Sequence, residues 1–258
     1  MDIKVKYYYL VCFLCYVFSF NSLAEYVDNH CASEDIEIIK KQLNISNFAP
    51  RNNGGVIISS ACKQWSYNKN HLITAFAYDS GNEEQKDLYV SIIDKNNRHI
   101  IHSLKSTINE DSTVAVGPFS LKLDTAKYQL SDNLRAFGLR FYSSALGPSC
   151  GSGYQNDQLT LYIPDGEYLR PVLTLNTAVQ RWLKGCPAEV SDSLVEEATL
   201  TISVANTSSN GFHDLIVTAK IMTSSPSVEP KHKIEHYVLH YNGHSYQSLP
   251  QRPWWLDF

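Results

Sequence analysis

From residue 56 onward, apolar and polar positions alternate with a period of two, the pattern of half-buried strands. Segments 56–60, 71–78, 88–94, 99–104, 119–123, 136–143, 159–163, 168–175, 198–205, 214–222 and 234–241 carry it. Turn chemistry separates them. Asp94-Lys95-Asn96-Asn97-Arg98 and Pro164-Asp165-Gly166-Glu167 each join two segments into a hairpin. Asn242-Gly243, both tolerant of positive φ, predicts a tight two-residue turn. Segment 179–183 fits a strand or a short helix, and 226–233, with Pro226, Pro230 and mixed charge, reads as an exposed loop. One stretch has the helical period. Within 33–43, Ile36, Ile39 and Leu43 share a face, Ser33 is placed to cap the N-terminus, and Glu34 and Asp35 suit its positive end. Residues 44–55 are polar, with Pro50 and Gly54-Gly55, and form a loop. The expected fold is all-β, an antiparallel sandwich or barrel-like sheet or a partial propeller, with one short N-terminal helix. Residues 176–198 are the candidate point of subdivision.

The N-terminus differs. Lys4 and Lys6 precede an apolar run over 7–20, and Ser22 and Ala24 occupy the small-residue positions of a signal-peptidase site. That run is too short to span ~30 Å of hydrocarbon. Residues 1–24 are therefore expected to be a secretory signal peptide cut before Glu25, leaving 25–258 as a periplasmic or secreted domain without a transmembrane segment. Two of the six cysteines lie in the apolar run; the others are Cys31, Cys62, Cys150 and Cys186. An even number in an oxidising compartment predicts two disulfides, and the pairing Cys31–Cys62 and Cys150–Cys186 closes short neighbouring loops. No C-x-x-C pair is present, which speaks against zinc. A net charge of −4 with no basic block argues against nucleic acid and anionic membrane as partners, since both select clustered Lys and Arg.

Few residues suggest chemistry. Gly147-Pro148-Ser149-Cys150-Gly151 matches G-x-S-x-G, but that elbow needs a helix after the serine, and here loop composition and then a strand follow. Ser149 is expected to be structural. His232, His236, His240 and His244 recur every four residues, which on a helix would make a metal-binding face. Pro230 and Asn242-Gly243 put them on a hairpin instead, with His236 and His240 roughly 13 Å apart, too far to share an ion. Asp79, Glu110 and Asp111 stand near strand ends. A glycosidase would need two such carboxylates across one cleft, ~5–9 Å apart; otherwise they are solvated loop acids. Trp254-Trp255 is either a tail packed on the globule or an exposed aromatic patch.

The stretch Asn206-Thr207-Ser208-Ser209-Asn210-Gly211-Phe212-His213-Asp214-Leu215 places oxygen side chains at alternate positions before a glycine and an Asp-Leu strand. It resembles the loop of FG-GAP repeats of integrin-type β-propellers, and with the hairpin around Asn242-Gly243 the resemblance covers residues 206–248. It implies calcium ligands at Asn206, Ser208, Asn210 and Asp214. Only Asp214 is a carboxylate, and calcium affinity falls with ligand charge, so a structural turn binding no metal is expected. The repeat occurs once, whereas a propeller needs several blades. With no cofactor motif and no catalytic constellation, the functional expectation is an exported binding protein, leaning away from an enzyme. Its expected partner is another exported protein, which makes the chain inhibitor-like, immunity-like or envelope-associated. The alternatives are a hydrolase of an envelope polymer and a structural envelope protein.

Overall fold

The computed structural model describes residues 31–146, 153–185, 193–226, 228–247 and 251–256. The expected signal peptide, Ser149, Cys150 and Cys186 lie outside these residues. A single disulfide, Cys31–Cys62, is formed among the described residues. Helix α1 (Ser33–Gln42) is followed by twelve strands. The first four are β1 (Ile57–Gln64), β2 (His71–Tyr78), β3 (Gln85–Asp94) and β4 (His99–Asn109). The next four are β5 (Leu121–Ser131), β6 (Leu134–Phe141), β7 (Gly153–Asp165) and β8 (Tyr168–Lys184). The last are β9 (Leu194–Ser209), β10 (Phe212–Ser225), β11 (Val228–Tyr241) and β12 (Tyr246–Gln247). No described helix is long and apolar enough to cross a membrane.

The chain builds two antiparallel meanders, β1 to β4 and β5 to β12, which meet at β8. At its start β8 touches β4 through one parallel bridge, Ser103↔Tyr168, and from Ala178 onward it pairs antiparallel with β9. Both flanking stretches of sheet therefore leave one edge of β8, and they fold back over opposite faces of β5–β8. The core clusters show this directly. Tyr128, Leu130 and Leu161 pack with Leu200, Leu215, Val217 and Leu239. Leu123, Phe137 and Tyr162 pack with Ala61, Ile73 and Val90. The middle layer is covered twice, which is why β7 reads Leu159-Thr160-Leu161-Tyr162-Ile163 with little alternation. Gly138 permits the close packing of this layer: a Cβ there would stand 2.6 Å from Leu159 Cδ1. Outside the first layer, Ile36 and Ile39 of α1 pack with Phe48 against Phe76, Tyr89 and Ile93, and the disulfide ties the start of α1 to β1. The sheet is all-β and layered but does not close into a barrel.

Several expectations change. The cap of α1 is at Ala32, Ser33 is the first helical residue, and no side chain caps the end. Segment 179–183 is the far end of β8. β5 extends to Ser131, past the expected end at residue 123, because irregular pairing between Asp124 and Tyr128 breaks the alternation without ending the strand. β7 starts at Gly153, in residues of loop composition, and accommodates Asp157 at φ 53°. Most of 226–233 belongs to edge strand β11, where Pro230 is tolerated and charged side chains face solvent. Asn242-Gly243 is no two-residue turn. It opens a four-residue one in which Asn242 N–H donates to Ser245 O and only Gly243 has positive φ.

Candidate functional site

A cleft of about 690 Å³ opens where β4 diverges from β8. Its construction follows from where the first layer is fastened. At the β1 end that layer is pinned to the middle one by buried Ser59, whose Oγ donates to Pro118 O at 3.2 Å and accepts the Leu121 N–H at 3.1 Å. At the β4 end the pairing stops after Ser103↔Tyr168, supported by Ser103 N–H to Glu167 O at 3.1 Å and His102 Nδ1 at 2.8 Å from Gly166 O. Beyond this bridge the layers part. Leu88, Leu104 and Ile108 form one inner wall, and Leu139, Phe141 and Tyr162 the other. The mouth is polar and internally bonded: Asn176 Nδ2 donates to Gln155 Oε1 at 2.5 Å, and the hydroxyls of Thr160 and Thr174 lie 3.1 Å apart. None of the described residues lining the cleft carries a charge.

Two strand edges border this cleft without a ladder partner among the described residues. β4 from Leu104 to Asn109 pairs with β3 alone, and β8 between Tyr168 and Ala178 pairs with β7 alone. The direction of the β4 backbone is fixed at two points. Glu110 N–H donates to Glu84 O on the β3 side, and Ser103 N–H donates to Glu167 O on the β8 side. Backbone groups alternate along an antiparallel strand. Those of Lys105, Thr107 and Asn109 therefore face the open edge, while those of Leu104, Ser106 and Ile108 face β3. Pro171 lies on the open stretch of β8, beside an irregularity in the β7 pairing. A proline inside a strand marks an open edge or a bulge, and this was the one sequence signal of the site that the alternation pattern left unused.

Those of the residues singled out in the sequence that are described lie outside the cleft lining. Asp79 and Glu110 do come together, but around an ammonium. Buried Lys86 places Nζ 3.1 Å from Glu110 Oε2 and 3.7 Å from Asp79 Oδ1, and donates to Asn82 O at 2.7 Å. Asp79 also pairs with Arg51, and Glu110 accepts the Val116 N–H. Both acids are thus neutralised in place, unlike a proton donor and nucleophile facing a sugar. Asp111 is exposed and caps its own turn through Thr113 and Val114; these bonds lower its pKa.

Asn206 and Ser208 are on β9, Asn210 and Gly211 form a two-residue turn with φ 48° and 88°, and Asp214 is buried on β10. Asn210 Nδ2 donates to Tyr241 O and Thr207 Oγ1 to Asp214 Oδ2. His240 Nδ1 comes within 3.1 Å of Asp214 Oδ1, in ion-pair distance but off a hydrogen-bond angle. Burial alone would raise the Asp214 pKa; Thr207, Ser209 and His240 outweigh it and hold the carboxyl below 3.8. His232 and His236 are on β11 with His240, and His244 lies in the following turn. No group of three or more His, Cys, Asp or Glu side chains among the described residues is arranged to hold a metal ion. Trp255 is buried and donates to Glu235 at 2.7 Å, and Trp254 lies beneath the Arg181 guanidinium, 4.2 Å from its ring centre. The tryptophan pair is a packed tail.

One ionic cluster escaped the sequence reading. Arg140 reaches Asp157 at 2.6 Å, Asp124 at 3.1 Å and Thr177 Oγ1 at 3.0 Å. Burial works against its charge, but Asp157 and Asp124 prevail and raise its pKa. Four strands, β5 to β8, meet at this one side chain, where the open stretch of β8 ends. Such long-range charge meetings leave no spacing pattern in a sequence.

Comparison with known proteins gives no match to a family model, to a characterised protein or to a solved structure.

Proposed function

We propose that the protein is an exported binding module whose ligand is a polypeptide held in the cleft between β4 and β8. The observation that carries this reading is the lining. It combines apolar walls, a neutral polar mouth and unpaired main-chain groups, and among the described residues it offers no carboxylate, imidazole, thiol or ammonium for catalysis. Clefts with an apolar interior and a few placed polar groups are the usual binding sites of proteins. Open backbone donors and acceptors favour a polypeptide over a sugar, because a peptide backbone supplies matching groups at strand spacing. Absence of charge among the described wall residues favours a neutral segment over an acidic or basic one. The hydrolase alternative loses its most suitable carboxylates, Asp79 and Glu110, to Lys86.

The test is a paired capture. Wild-type protein and Ser106→Trp, which fills the cleft from the β4 wall, are immobilised and exposed to the same extract of exported proteins. A partner retained by the wild type and lost from a variant of equal melting temperature is the expected result. Identical sets of retained proteins would refute the reading.

A further inference from the structure

We infer that the cleft is the seat of an absent strand: a neutral, extended segment of the partner chain enters between β4 and β8 and runs antiparallel to both. This rests on the polypeptide-binding reading and adds the direction and pairing of the ligand.

Strand direction gives the first argument. Every pairing between two of the described strands is antiparallel except the single bridge between β4 and β8. Two parallel strands side by side are the arrangement into which one strand of opposite sense fits with antiparallel ladders on both sides, the slightly more stable pairing. With it inserted, the path from β1 through β4, the guest, β8 and on to β11 would alternate throughout. The second argument is the free valence of the edges. Lys105, Thr107 and Asn109 point their backbone groups into the gap, and Pro171 opposite has no N–H to leave unpaired. The open stretch of β4, Leu104 to Asn109, corresponds to ~20 Å at strand rise, enough for a guest strand of ordinary length.

The third argument is space on both faces. Side chains of a strand point alternately to opposite sides. On one side of the gap is the cleft already described. On the other, Thr174 and Asn176 also border a second recess of about 380 Å³, walled by Leu239, Tyr246 and Trp255 and bordered by one charged side chain, Arg252. Both sets of guest side chains therefore meet a recess. Two of the other open edges are guarded. β11 carries Glu229, Pro230, Lys231 and Lys233, and β5 carries Lys122 and Lys127; charges and proline on an edge prevent strand addition. The single lysine on the open stretch of β4, Lys105, is engaged by Asp87 at 3.0 Å and lies over the Tyr89 ring.

Short random peptides lacking Asp, Glu, Lys and Arg, selected on the purified protein, provide the probe. The tightest binder is resynthesised with one backbone amide N-methylated at a time. A strand hydrogen-bonded on both sides uses every central amide, so each methylation should weaken binding about tenfold, the equivalent of one hydrogen bond at the upper end of its net worth. Thr107→Pro, which removes one cleft-facing N–H and leaves the β3 ladder intact, should weaken it similarly, and Ser106→Trp should abolish it. Loss at every second position only would mean addition to a single edge and overturns the inference. Cleft-dependent binding that tolerates every methylation also overturns it, while leaving the polypeptide-binding reading in place. No peptide whose binding depends on Ser106 or Thr107 would remove both.

Discussion

Asp214 is 2% exposed, yet it is held ionised by neutral hydroxyls and one histidine rather than by Lys or Arg. Its folded pKa lies below 3.8, so ionised Asp214 stabilises the fold above that pH, and the contribution disappears as pH falls through the lower folded value. Asp214→Asn should therefore lower stability at neutral pH by about 1–3 kcal/mol, the range of charge-assisted and buried hydrogen bonds. The deficit against wild type should shrink as pH drops below 3.8. Denaturant unfolding across the acid range checks this, and a deficit unchanged down to acid unfolding would contradict it. The histidines, by contrast, share a sequence period without sharing a site. His236 Nδ1 lies 2.9 Å from Thr218 Oγ1 and His240 Nδ1 3.2 Å from Ser209 Oγ. Thr218 is on neighbouring β10 and Ser209 at the end of β9, so two histidines four apart on one face of a strand meet different partners.

Among the elements, those whose boundaries are set by local chemistry could be read from the sequence, and those set by a distant partner could not. The turns Asp94 to Arg98 and Pro164 to Glu167 were legible because their own residues make the turn: Asp94 Oδ1 accepts the Asn96 and Asn97 N–H groups, and Gly166 takes the positive φ. The extents of β5, β7 and β11 were not. An irregular stretch, a left-handed Asp157 and a guarded edge each mimic loop composition while the neighbouring strand keeps the ladder going. The pairing of Cys31 with Cys62 was legible from proximity, and it fastens α1 to β1 across a separation of 31 residues. Replacing both cysteines by serine should cost about 3–4 kcal/mol, as expected for restriction of a loop of this size. The packing of Ile36, Ile39 and Phe48 should loosen first. Denaturant unfolding with amide exchange in α1 measures both, and a loss below about 1 kcal/mol would show that the first layer holds the helix without the bond.

At the scale of the whole molecule, the defining feature is that two layers hang from one strand. β8 is long enough to serve β4 at its start and β9 at its end, with a stretch between them that serves neither. Alternation announced the strands, but not which edges would stay open. That depends on contacts such as Ser103↔Tyr168, distant in sequence and one residue long. Pro171 was the only local trace. Whether β4 presents an unsatisfied edge to a cleft built for a strand can be tested without knowing the partner by residue-resolved amide hydrogen exchange on the free protein. Leu104, Ser106 and Ile108, bonded to β3, should be protected, whereas Lys105, Thr107 and Asn109 should exchange rapidly, in strict alternation. Uniform protection along β4 would mean that the edge is already covered, and would contradict the account.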